Sequence, residues 1–147
     1  MQQPKQLIDR YVTALSTVTK RLNYEITKVV QDDMTVDQYQ IMYYINAQER
    51  CTSTVLADAF CVGKSSITAI ITRLVDRGLI ERTRDEDDRR LIYLSLTDHG
   101  REVYDKADRK VQDMVSSYLT HFNQDEVESF IGTFEKLARL VGEGSKE

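Results

Sequence analysis

The chain is short of everything that breaks a helix. Its 147 residues hold one proline, Pro4, and six glycines. Long uninterrupted helices are therefore expected, because interior proline removes a hydrogen bond and glycine costs about 1 kcal/mol relative to alanine. Cysteine is scarce as well. Cys51 and Cys61 lie in no Cys-x-x-Cys pair and not at zinc-finger spacing from His99 and His121, which excludes a disulfide scaffold. Buried, inert thiols are expected, with a redox role left to exposure and local charge. No apolar run approaches the roughly 20 residues that span a bilayer, so no membrane helix is expected. The polar N-terminus has no apolar signal segment, and the expected compartment is the cytoplasm. Also missing are a Ser-His-Asp order, a metal-ligand cluster, a Walker loop and a dinucleotide fingerprint. No catalytic residue, metal or cofactor is expected.

Among what is present, 41% hydrophobic residues suffice for a core, and 30% charged residues suit exposed helix. One domain over residues 1–147 is expected. From Pro4 to Val30, Ile8, Leu15, Leu22 and Val29 recur every seven, with Tyr11, Val18 and Ile26 between them. That stripe is close to a coiled-coil seam and too long for a small domain to cover, so it predicts a partner surface. Thr35 with Gln38 is a capping box opening a helix whose buried side is Ile41, Met42 and Ile45. Thr52, Ser53 or Thr54 caps a short third helix with Val55, Leu56, Ala59 and Phe60 inward. After the turn Cys61-Val62-Gly63, a fourth helix packs through Ile67, Ile70, Ile71, Leu74 and Val75 and stops at Gly78. Leu79–Thr83 and Leu91–Leu96 read as antiparallel strands, the second alternating with period two. Thr97 caps a long fifth helix with Val103, Ala107, Val111, Met114 and Tyr118 inward. Asn123 with Glu126 opens a sixth carrying Val127, Phe130, Ile131, Phe134, Leu137, Ala138 and Val141, and Gly142–Glu147 reads as a flexible tail.

A short helix, a tight turn and a second helix with a small polar outer face is the plan of a helix-turn-helix. Here that face offers Ser65, Ser66, Thr68, Ala69, Thr72 and Arg73. Small residues let a helix sit deep in the major groove. Hydroxyls and methyls can meet base edges, Arg73 can reach guanine or phosphate, and the amides near Lys64 suit phosphate oxygens. The same face would serve an ordinary solvated amphipathic helix. The following hairpin weighs against that, since Arg89 and Arg90 stand side by side at its turn. A wing tip enters the minor groove, whose narrow A/T-rich form attracts arginine. Asp88 can fix the Arg90 guanidinium by a charge-assisted bond. Asp85, Glu86 and Asp87 are expected to solvate the turn or pair with Arg82, Arg84 or Arg89. From Val62 to Arg84, five basic residues (Lys64, Arg73, Arg77, Arg82, Arg84) face two acidic ones, a basic island in a chain of net charge -4. The fold class is mainly α with a small β-wing. The candidate interface to double-stranded DNA is Lys64, Ser65, Ser66, Thr68, Ala69, Thr72, Arg73, Arg77, Arg84, Asp88, Arg89 and Arg90. The alternative is a winged module that binds another protein.

The run from Asp88 to Gly100, with Asp-x-Arg followed by Leu96-Thr97-Asp98-His99-Gly100, resembles the wing signature of MarR-family regulators. The runs Leu56–Phe60, Ser65–Thr68 and Arg73–Arg82 resemble that family's helix-turn-helix, and helix order matches over nearly the whole chain. The resemblance implies a winged helix-turn-helix in 35–97, dimerisation helices in 4–31 and 98–142, and a homodimeric regulator, usually a repressor, on pseudo-palindromic sites. It makes Arg90 the minor-groove arginine and Asp88 its orienting partner. It further implies a small phenolic or lipophilic effector, for which Tyr11, Tyr24, Tyr39, Met42 and Tyr43 are the candidate pocket. Members that sense peroxide carry a cysteine in the first helix, which this chain lacks.

Overall fold

A computed structural model describes residues 3–144. Among them the order is α1 (Pro4–Val30), α2 (Val36–Ala47), α3 (Ser53–Phe60), α4 (Lys64–Asp76), β1 (Ile80–Arg84), β2 (Ile92–Leu96), α5 (Asp98–Leu119) and α6 (Gln124–Gly144). The chain divides into two compact units after Val111, inside α5. No single helix among the described residues is long and apolar enough to cross a membrane.

Local chemistry sets most element ends. Pro4 stands in the first turn of α1, where its missing N–H costs nothing. At α2 the Thr35 hydroxyl accepts from the Gln38 amide at 3.1 Å, and the Gln38 side chain accepts from the Thr35 amide at 3.2 Å. Thr52 caps α3 by accepting from Val55 N. Cys61 ends α3 in the left-handed region, φ 54°, and Gly78 follows α4 at φ 73°, where the absence of a Cβ removes the penalty. Asn123 and Glu126 cap α6 reciprocally. That helix runs to Gly144, so the first part of the expected tail is helical, and residues 145–147 lie outside the described residues.

The core of the first unit gathers Met42, Leu56, Ile67, Ile71, Leu74, Leu79 and Ile80, each 2% exposed or less. In α3 the inward face is Leu56, Ala57 and Phe60, one arc of the helix; Val55 and Ala59 point away and are exposed, against expectation. β1 starts one residue later than predicted, because Leu79 is used at the turn: its amide donates to Leu74 and its carbonyl accepts from Thr97 N at 3.1 Å. β1 and β2 pair antiparallel with Arg82 opposite Leu94. The Leu94 amide donates to the Cys51 carbonyl at 2.8 Å, tying the wing to the α2–α3 connection. Cys51 is buried as expected and burial pushes its thiol up to about 11, whereas Cys61 is exposed because it occupies the turn.

The α1–α2 corner is braced from two directions. Asp33, its side chain 7% exposed, accepts from Lys110 Nζ at 2.9 Å and faces Lys106 at 3.5 Å, both on α5. Its carbonyl accepts from Arg77 Nη2 at 2.7 Å, while Arg77 Nη1 donates to Gln38 Oε1 at 2.9 Å. The Lys110 hydrogen bond, with both lysine charges, holds the Asp33 carboxyl below its ordinary value. A depressed carboxylate contributes stability above its unfolded value, near pH 4, and loses it as pH falls through the folded value. Asp33→Asn is expected to lower unfolding free energy by about 1–2 kcal/mol at pH 7, the range of a hydrogen bond to a charged group whose partners stay partly solvated. In urea titrations at pH 7 and pH 3 the difference from wild type should shrink at the lower pH. An equal difference at both would remove the charge from the explanation.

The second unit is α6 with the end of α5. None of its described residues is buried. Phe130 is 63% exposed, Ile131 48%, Phe134 43% and Val141 65%. In the first unit, α1 likewise exposes Ile8, Tyr11, Val12, Leu15 and Val18, while Leu22, Ile26 and Val29 are partly covered. The predicted stripe is thus open surface over its first part and partly covered over its last.

Candidate nucleic-acid interface

α4 is held by Ile67, Ile71 and Leu74, spaced so that one stripe is buried. The opposite side is Lys64, Ser65, Ser66, Thr68, Ala69, Thr72 and Arg73, all exposed. Gly63 precedes the helix without a side-chain cap, which leaves first-turn amides open to an anionic oxygen. Arg82 on β1 donates from Nη2 to the Thr72 hydroxyl at 3.4 Å. The wing strand therefore leans on the outer face of α4. Arg82 belongs with the candidate residues, though its alternation in a strand gives no hint of that neighbour.

The wing tip is a constructed loop. The Asp85 amide donates to the Leu91 carbonyl at 2.9 Å and the Leu91 amide to the Asp88 carbonyl at 3.0 Å. Asp85 Oδ1 accepts from the amides of Asp87 and Asp88 at 2.8 and 3.0 Å. Asp88 Oδ1 accepts from the Arg90 amide at 3.0 Å and from Arg90 Nε at 3.1 Å, and Asp88 Oδ2 accepts from Arg90 Nη2 at 3.2 Å. That bidentate grip leaves the Arg90 side chain 91% exposed. The guanidinium hydrogen bonds, then the Arg90 amide, lower the Asp88 carboxyl from its ordinary value. The amides of Asp88 and Asp87, with the Tyr93 hydroxyl, do the same for Asp85. Both groups are anionic at neutral pH.

Several candidates are placed differently from expectation. Arg77 is drawn into the α1–α2 corner, its two terminal nitrogens committed to Asp33 and Gln38. Arg84 donates from Nη1 to the Arg89 carbonyl at 2.6 Å and so braces the tip. Asp85 does not pair with Arg82, Arg84 or Arg89; it builds the turn and faces Arg50 at 3.9 Å. The sequence shows these charges but not partners supplied by distant segments. Asp85 carried one usable local signal, an aspartate placed to accept from amides two and three residues on.

The five effector candidates do not all gather in one place within the chain. Met42 is fully buried core. Tyr39 is 5% exposed, stacks on Tyr104 with centroids 5.8 Å apart, and donates its hydroxyl to Asp108 at 2.7 Å. Burial, then that acceptor, pushes the Tyr39 phenol far up, so it stays a neutral donor. Tyr43 is exposed beside it at 6.3 Å. Tyr11 and Tyr24 lie about 20 Å apart along α1, and Tyr24 carries Lys28 over its ring at 4.8 Å.

Comparison with known proteins places this architecture. The MarR family model matches residues 34–92, the span from Met34 through the wing tip. The uncharacterized HTH-type transcriptional regulator YpoP of Bacillus subtilis is 28% identical over 134 residues, 88% of this chain and 84% of that protein. The homoprotocatechuate degradative operon repressor of Escherichia coli is 24% identical over 112 residues, 76% of each chain. Among solved structures, a mutant MarR of Escherichia coli complexed with operator DNA is similar with a TM-score of 0.74. It is 20% identical and covers 92% of this chain and 99% of that one. At that identity the structural likeness speaks for the fold.

Proposed function

We propose that the chain is a DNA-binding transcriptional regulator of the MarR type that works as a homodimeric repressor of pseudo-palindromic operators, a reading supported by the family match over residues 34–92 and by the repressor-named relative. The observation that carries this is the Arg82–Thr72 bond, which sets a wing tipped by an aspartate-gripped Arg90 beside the exposed face of α4. A helix in the major groove and an arginine in the adjacent minor groove read one half-site. In this reading Ser65, Ser66, Thr68, Ala69, Thr72 and Arg73 meet base edges and phosphates, and Lys64 and Arg89 meet phosphates. The lobe 35–97 reads DNA, and helices in 4–31 and 98–142 bring two lobes together. Bound at an operator in the cytoplasm, the dimer blocks polymerase. Relief by a phenolic or lipophilic effector requires a ligand that favours the non-binding arrangement by about 1 kcal/mol or more.

Selection of bound duplexes from a random pool tests the reading. Enriched sequences should share an inverted repeat whose half-site centres are about one helical turn apart, roughly 10 base pairs. Enrichment of a single unsymmetrical half-site would remove the dimer, and no enrichment would remove sequence-specific reading.

A further inference from the structure

We infer that Asp85, braced from behind by Arg50 and Tyr93, is a positioning residue that holds the wing tip in the one posture in which Arg90 meets DNA. This rests on the reading above, that Arg90 enters the minor groove. The tip from Asp85 to Leu91 is exposed except at Asp85 and Asp88 and is rich in charge, and a loop of that kind left free would lose entropy on every binding event. Here it is closed before DNA arrives. Asp85 supplies three of the closing bonds: its amide to Leu91, and its Oδ1 to Asp87 and Asp88. The last of these fixes the backbone of Asp88, whose carboxylate in turn grips Arg90 at three nitrogens.

The other oxygen of Asp85 faces away from the tip, toward Arg50. Arg50 Nη1 lies 3.9 Å from Asp85 Oδ2 and 3.5 Å from the Tyr93 hydroxyl, and its guanidinium carbon sits 5.2 Å over the Tyr93 ring. The Asp85 side chain is only 16% exposed, while Glu86 and Asp87 beside it are exposed. One residue along from Arg50, the Cys51 carbonyl receives the Leu94 amide. The wing is thus pinned to the α2–α3 connection by a backbone bond at mid-strand and by an ionic and aromatic contact at the tip.

An operator duplex enriched by the wild-type full chain serves as probe, together with a copy in which the base pairs under the wing are changed from A/T to G/C. Affinities are measured for wild type, Arg90→Ala, Asp85→Ala, Asp85→Asn and the double variant Asp85→Ala with Arg90→Ala, alongside thermal unfolding of each. Arg90→Ala should weaken binding about ten-fold or more and erase the A/T preference. Asp85→Ala should weaken it by a comparable factor, with the melting temperature little changed, yet alter affinity less than about two-fold once Arg90 is alanine. Asp85→Asn keeps an oxygen for the two amides and should recover most of the affinity. The inference is overturned if Asp85→Ala binds as wild type does, or weakens binding equally with and without Arg90. If Arg90→Ala itself leaves affinity and A/T preference intact, the wing reading fails, and this inference fails with it.

Discussion

Gly100→Ala should lower unfolding free energy by about 3–5 kcal/mol and the melting temperature by about 10 °C or more. A Cβ at Gly100 would stand 1.9 Å from the Leu79 carbonyl oxygen, 2.7 Å from its carbon and 3.0 Å from its Cα. These are backbone atoms, and no rotamer change can clear them. Leu79 cannot retreat cheaply either, because its carbonyl holds Thr97 N and its amide is bonded to Leu74. The Thr97 hydroxyl donates to the Gly78 carbonyl at 2.6 Å and accepts from the Gly100 amide at 2.8 Å. Moving the start of α5 would strain that set, at about 1 kcal/mol for each bond lost. Against this, alanine gains about 1 kcal/mol in helix propensity, too little to compensate. The Leu-Thr-x-x-Gly run therefore has a physical reason: threonine caps, and glycine admits the α4–β1 turn. A melting temperature within 2 °C of wild type would show that the turn yields.

The second large effect concerns association. α6 exposes Phe130 and Phe134, stacked at 5.4 Å with 15° between ring planes, and α1 exposes its own apolar stripe. Open aromatic and aliphatic faces of this kind mark association surfaces. Phe130→Asp with Phe134→Asp removes two aromatic anchors and places two carboxylates where the proposed dimer is apolar. Truncating a central aromatic costs about 2–4 kcal/mol, and an unpaired buried charge costs more. The dimer dissociation constant should rise by about three orders of magnitude or more. Sedimentation at micromolar protein should show a wild-type dimer and a variant monomer, with operator affinity falling in parallel. A variant that stays dimeric would place the interface elsewhere.

What was legible in the sequence was local. The Thr35–Gln38 and Asn123–Glu126 boxes, Pro4, Gly78 and the alternation of β2 each depend on neighbours within a turn. The grip of Asp88 on Arg90 is local too, two residues apart, and so is the exposed face of α4, which follows from the spacing of Ile67, Ile71 and Leu74. Features made by distant segments were not legible. Arg77 looked like one more cation of a basic island until Gln38 and the Asp33 carbonyl took it up. Tyr39 and Met42 were pocket candidates through the family resemblance, and nothing local shows that Tyr104 and Asp108 are the neighbours of Tyr39 or that Met42 is buried core. Arg50 gave no signal, since nothing at its position announces Asp85 and Tyr93. Val55 and Ala59 were assigned inward by apolarity alone, in a helix too short for its period to choose a face.

Fluorescence anisotropy of wild type and Arg90→Ala on the selected operator, across a salt series, tests the central claim most directly. Binding through several phosphates releases counterions, so log affinity should fall linearly and steeply with log salt. Arg90→Ala should lie about 1–3 kcal/mol weaker throughout. Wild-type binding that ignores salt, or a variant that matches wild type at every concentration, would contradict a wing and helix that read DNA together.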